Sequence, residues 1–93
     1  MKTWPEPFEA LMSGAKTCEV RKNDRGFKVG DRLRLREWVP RPYWKQEDPV
    51  GHYTGREMTV EVTHLVPGGR WGLPSDLCVM SVRLEGAAAR GEP

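Results

Sequence analysis

Three stretches of this chain alternate between apolar and polar residues, and that alternation confines it to a sheet. In residues 31–39, Leu33, Leu35 and Val39 fall on one face and Arg32, Arg34, Arg36 and Trp38 on the other. In residues 56–66, Met58, Val60, Val62, His64 and Val66 oppose Glu57, Thr59, Glu61 and Thr63. In residues 77–84, Cys78, Met80, Val82 and Leu84 share a side. Successive side chains of a strand point to opposite faces, so a period of two buries one side and hydrates the other. A shorter alternation over residues 17–22 sends Cys18 and Val20 to the core and Glu19 and Arg21 to a cleft or to solvent. His64, on an apolar face, reads as a core or rim histidine.

Helical spacing occurs once. Phe8, Leu11 and Met12 make one apolar stripe, Thr3 is placed to cap, Pro5 suits a first turn, and Gly14 stops the run. Asn23, Asp24, Arg25 and Gly26 form a turn by composition, with Phe27 and Val29 anchoring the return. Residues 40–55 read as an inserted loop holding Pro40, Pro42, Pro49, Tyr43, Trp44 and Tyr53. Residues 67–72 are a glycine-rich loop, and Glu85 to Pro93 is a frayed tail. One helix and several short strands predict a small mixed barrel, α+β and mostly β, with the helix at its rim.

A chain of 93 residues makes one domain, and at this size it buries roughly 60–65% of its unfolded surface. Apolar residues are 38% and charged residues 30%, a globular balance. No apolar run approaches the roughly 20 residues of a membrane helix. The first residues carry no apolar leader, so a cytoplasmic, membrane-free monomer is expected. Cys18 and Cys78 have no metal-ligand spacing and read as reduced thiols. His52 and His64 have no convincing partners, so neither a metal nor a cofactor is expected.

The net charge of +2 is weak, but its placement is uneven. Lys16, Glu19, Arg21, Lys22, Asp24, Arg25 and Lys28 crowd one strand and its turn, a density that little apolar burial accounts for. A local basic face can bind phosphates even where the total is near balance. Arg36 and Trp38 serve equally as part of a nucleic-acid platform or as a barrel exterior where arginine stems cover rings.

The spacing Gly14-x-Lys16-x-x-Glu19-x-Arg21 resembles the signature of ASCH domains, in the PUA-like superfamily of RNA-binding β-barrels. The run from Glu19 to Asp31, the block Leu35-Arg36-Glu37-Trp38 and the block Tyr53-Thr54-Gly55-Arg56-Glu57 are similar to the ASCH-related family DUF3850. The likeness covers residues 2 to about 84. It implies a PUA-like, ASCH-type β-barrel with one short N-terminal helix at its rim, as a single domain over residues 1–86, with residues 87–93 a flexible tail. Related sequences begin with a His-x-Leu segment ahead of Lys2-Thr3-Trp4-Pro5, so the first barrel strand is expected to be shortened or missing.

The resemblance also implies that Lys16, Glu19 and Arg21 line one cleft beside the barrel. The leading expectation is an RNA- or nucleotide-binding module. Arg21 holds a phosphate, Glu19 meets a base edge or pairs with Lys16 or Arg21, and Lys22, Arg25 and Arg36 follow the backbone. Trp71 and Trp44 are candidate stacking surfaces. The alternative is a hydrolase of a modified nucleoside, with Lys16 and Glu19 catalytic. Some small ASCH proteins are similar to this as N4-acetylcytidine amidohydrolases, but they use a threonine where this chain has Glu19, which leaves Glu19 as a general base toward water. A third reading makes residues 40–55 a protein-contact loop.

Overall fold

The computed structural model describes residues 1–40 and 51–88. Chain order is β1 (Lys2–Thr3), α1 (Pro5–Ser13), β2 (Cys18–Lys22), β3 (Arg32–Val39), β4 (His52–Pro67) and β5 (Leu77–Ala88). The strands form one sheet in the order β1-β3-β4-β5-β2, with β1 parallel to β3 and the other pairs antiparallel. It curls into a half-barrel, mostly β with one short helix. The strand at the β1 edge is two residues long. Among the described residues no helix is long and apolar enough to cross a membrane.

The helix forms where its stripe predicts, and Phe8 and Leu11 bury its inner face. Pro5 occupies the first turn and Gly14 ends the helix at φ 84°. Thr3 does not cap it. Trp4 holds the capping position without a side-chain bond, and Thr3 is a buried residue of β1. The helix packs over β3 and β5. Beneath it Leu33, Leu35, Met58, Val60, Val62, Cys78, Met80 and Val82 form the core, with Phe27 from the turn after β2.

Two irregularities reset which residues face inward. In β4, Val62 pairs with Val82 but His64 pairs with Ser81, so Thr63 is an extra residue. Such a bulge flips the faces beyond it. Leu65 therefore packs on the core, and His64, expected on the apolar face, is exposed. In β5, Glu85 has no partner between Leu84 and Gly86; Leu84, ahead of it, keeps the side of Val82 and pairs with Val60, although at the rim beside α1 it is 42% exposed. The strand nonetheless continues to Ala88. Residues 85–88 are therefore sheet and not tail, because β4 is long enough to pair with them.

Other expectations shift in the same way. Val20 is 53% exposed and Val29 60%, so neither anchors the core. Residues 52–55 belong to β4 and not to the inserted loop. Tyr43, Trp44 and the rest of residues 41–50, like residues 89–93, lie outside the described residues.

The outer face of β3, β4 and β5 is a ladder of ion pairs. Arg32 bonds Glu85 at 2.8 Å, Arg34 bonds Glu57 through two nitrogens at 3.1 and 2.7 Å, and Arg83 bonds Glu61. Arg34 holds the Glu57 carboxyl below its ordinary range, chiefly by hydrogen bonding. These pairs are solvated and each adds little stability. Arg36 lies 3.7 Å from the centre of the Tyr53 ring, and Lys2 4.5 Å from that of Trp38. Both cysteines are free thiols, Cys18 half-buried and Cys78 fully buried.

Leu35 has no exposed surface, and Leu35→Ala is expected to cost about 3 kcal/mol through the cavity it leaves, read as a fall in the urea midpoint. Burial pushes the Cys78 thiol up. A maleimide should label Cys18 in the native protein and Cys78 only as the chain unfolds, which peptide mass spectrometry can follow.

Candidate functional site

Strand β2 places Glu19 on the inner face of the sheet, opposite Met80. The expected sides are thus reversed for its neighbours: Glu19 is 3% exposed and Val20 faces out. A carboxylate tolerates that position only when compensated. Lys16 donates to Glu19 Oε1 at 2.8 Å and to the Cys18 carbonyl at 2.6 Å. Arg21 Nε donates to Glu19 Oε2 at 2.8 Å. Both carboxylate oxygens are therefore engaged, with side-chain exposures of 31% for Lys16 and 24% for Arg21.

Arg21 does more than neutralise. Its Nη1 donates to the Lys2 carbonyl at 3.3 Å and its Nη2 to the Thr3 hydroxyl at 3.2 Å. β1 and β2 are the two edges of the sheet. One guanidinium thus spans the gap that backbone pairing leaves open.

A second buried carboxylate lies one step beyond Thr3. Glu37 pairs in register with Thr3 and is 5% exposed. The Thr54 hydroxyl donates to it at 2.7 Å, and Arg56 stands 3.7 Å away while bonding Glu9 of α1 at 2.6 Å. These partners arrive through a register shift at residues 54–56, where Gly55 takes φ 96°. That left-handed backbone is costly for other residue types. The sequence reading passed over Glu37, Thr3, Thr54 and Arg56. Its own alternation of positions 33, 35, 37 and 39 already placed Glu37 on the inner face. Among the described residues no buried side-chain polar atom lacks a partner, and no group of His, Cys, Asp and Glu is placed to hold a metal ion.

The structure brings Lys16, Glu19 and Arg21 together as a bonded triad. Arg21, Lys22 and Arg25 then line a hollow of about 180 Å³ with Met1, Asp24 and Phe27. An adjoining hollow of about 330 Å³ shares Met1, Arg25 and Phe27 and adds Asp31, Arg32, Leu33 and Arg34. Burial first, and then the charges of Arg25, Arg21, Arg36 and Arg34, push the Met1 ammonium below its ordinary value. Among the described residues Lys22 and Arg25 pair with no carboxylate. Lys16 also borders a hollow of about 340 Å³ between Leu11, Met12, Thr17, Val82 and Leu84. Arg36 stacks on Tyr53 and is not part of either basic hollow. Trp71 is separate from the triad, 83% exposed, on the β4–β5 loop. Its φ of 51° is unusual for a bulky residue and stores about 1–2 kcal/mol of strain.

Glu19→Ala strands two half-buried cations and is expected to destabilise the fold by about 3 kcal/mol in chemical denaturation. Glu19→Gln, which keeps the shape and an acceptor, should cost clearly less.

A 64-residue stretch is 33% identical to the uncharacterized 12.9 kDa protein in the GpA 3′ region of Escherichia phage P2. The match takes in 69% of this chain and 50% of the phage protein, so it spans about half of that relative. The family model described as "Domain of unknown function (DUF3850)" matches residues 1–82, and the chain belongs to that family.

Proposed function

We propose that this chain is an RNA- or nucleotide-binding module whose phosphate-contacting surface is the basic face at the end of β2. One observation carries the reading. Arg21, Lys22 and Arg25 converge on a concave surface, backed by Arg34, and Lys22 and Arg25 have no carboxylate partner among the described residues. Elsewhere on the sheet Arg32, Arg34, Arg56 and Arg83 are matched to acids and Arg36 stacks on Tyr53, so cations left over in a hollow are available to an anion. The triad contributes by position. Glu19 and Lys16 hold Arg21 in a fixed orientation, with guanidinium donors left to meet a phosphate. An ASCH-type, PUA-like barrel is part of this proposal. It is supported by the half-barrel and by the adjacency of Lys16, Glu19 and Arg21, the residues that carry the resemblance.

Binding of a fluorescent single-stranded RNA should weaken steeply with salt. Lys22→Ala and Arg25→Ala should each weaken it and lower the log–log salt slope by about 0.7. Unchanged affinity and slope in both variants would remove the surface from consideration.

A second reading keeps Lys16 and Glu19 as a catalytic pair acting on a modified nucleoside. In its favour, Lys16 contacts Glu19 and, with Thr17, borders the hollow beside α1. Release of cytidine from N4-acetylcytidine, lost in Lys16→Met, would establish it. No release by the wild-type protein would end it.

A further inference from the structure

The outer face of the sheet carries a hollow that the basic surface does not use. About 440 Å³ lies between Val66, Val79, Leu73, Pro74, Arg70 and the side of Trp71. Its floor is Val66 of β4 and Val79 of β5, register partners on the outward side, and Val20 of β2 continues that row past the hollow. Its wall is a nearly bare indole held by a firm loop. Gly69 N donates to the Leu73 carbonyl and Leu73 N to the Arg70 carbonyl, both at 2.8 Å. Gly68 sits so close to the chain that an added Cβ would stand 2.2 Å from the Pro74 carbonyl oxygen. The left-handed Trp71 is therefore built in, and the indole stays out of the core.

This hollow is joined to the basic face. Asn23 N donates to the Asp76 carbonyl at 2.9 Å, tying the Trp71 loop to the turn that carries Asp24 and Arg25. Lys22 pairs with Leu77, two residues along from the Val20–Val79 pair on the same face. That separation is about 7 Å. A flat apolar slot walled by indole, with Arg70 beside it and Lys22 and Arg25 at its end, matches a ligand with a π-face and a nearby anion. Asp24 and Asp76 are the carboxylates there, against Lys22, Arg25 and Arg70, since Arg21 is already held by Glu19.

Resting on the reading above, we infer that Trp71 and the Val66–Val79 floor take an unpaired nucleobase, so that the preferred ligand is single-stranded RNA. Stacking on an aromatic face is strong and tolerant of base identity, whereas a paired base has both faces covered. Lys22 and Arg25 then receive the flanking phosphates.

The test uses the full chain, a labelled adenine oligoribonucleotide of about eight residues and an RNA duplex of equal charge. The wild-type protein should prefer the single strand. Trp71→Ala should lose at least about tenfold on the single strand with little change on the duplex, and Trp71→Phe should restore most of it. The exposed position keeps both variants folded, which circular dichroism checks. Lys22→Glu with Arg25→Glu should weaken both RNAs. If the charge variant weakens binding and Trp71→Ala does not, the stacking site is overturned and the basic face stands. If the wild-type protein binds neither RNA at low salt, both fall. If Trp71→Ala changes sedimentation instead of RNA affinity, the hollow serves a second copy of the chain and the inference is wrong.

Discussion

A carboxylate turned toward the inside of a small half-barrel has to be neutralised where it stands, and much of this fold follows from how Glu19 is neutralised. Lys16 and Arg21 come from the same short segment, three residues before and two after. Little loop closure is needed to assemble the triad, so its entropic cost is low. A lone buried charge would cost several kcal/mol, whereas a bracketed one leaves the strand free to face its inner side to the core. Arg21 then spends its remaining nitrogens on the far edge of the sheet, at Lys2 and Thr3. The group that neutralises the interior also clasps the barrel.

Glu37 repeats the solution with different material. Its partners come from an irregular stretch of β4, where a left-handed glycine delivers Thr54 and Arg56 to one point. Arg56 then reaches Glu9 and ties the sheet to α1. The interior at the helix end is therefore polar and fully bonded. Such networks favour one arrangement over its near alternatives, because any slip leaves a buried group unmatched.

With the inner acids matched and the outer ladder paired across β3, β4 and β5, the cations differ in what holds them. Arg32, Arg34, Arg56 and Arg83 are held by carboxylates. Lys22 and Arg25, at the end of an edge strand, pair with no carboxylate among the described residues. An overall charge near balance thus conceals a local excess, and the excess lies beside both the triad and the loop that carries Trp71.

The strands β3, β4 and β5 and the helix were legible in the residues themselves, since period-two and period-3.6 patterns depend on local geometry alone. Alternation put Glu19 and Arg21 on one strand side, whereas the addition of Lys16, which precedes β2, came from the resemblance. What the alternation could not say was which side faces in. On β2 the rule that apolar residues go inside pointed to Val20, yet Glu19 is the buried one, because the energy of a matched ion triad depends on partners that a pattern does not reveal. His64 changed sides for another reason. A single extra residue in a strand inverts every position after it, and whether it is accommodated depends on the length and curvature of the neighbouring strand. The local rules determined the elements and the candidate charges. Only the tertiary structure decided register, sidedness and the clasp between β1 and β2, because those depend on residues far apart in the chain meeting across the barrel.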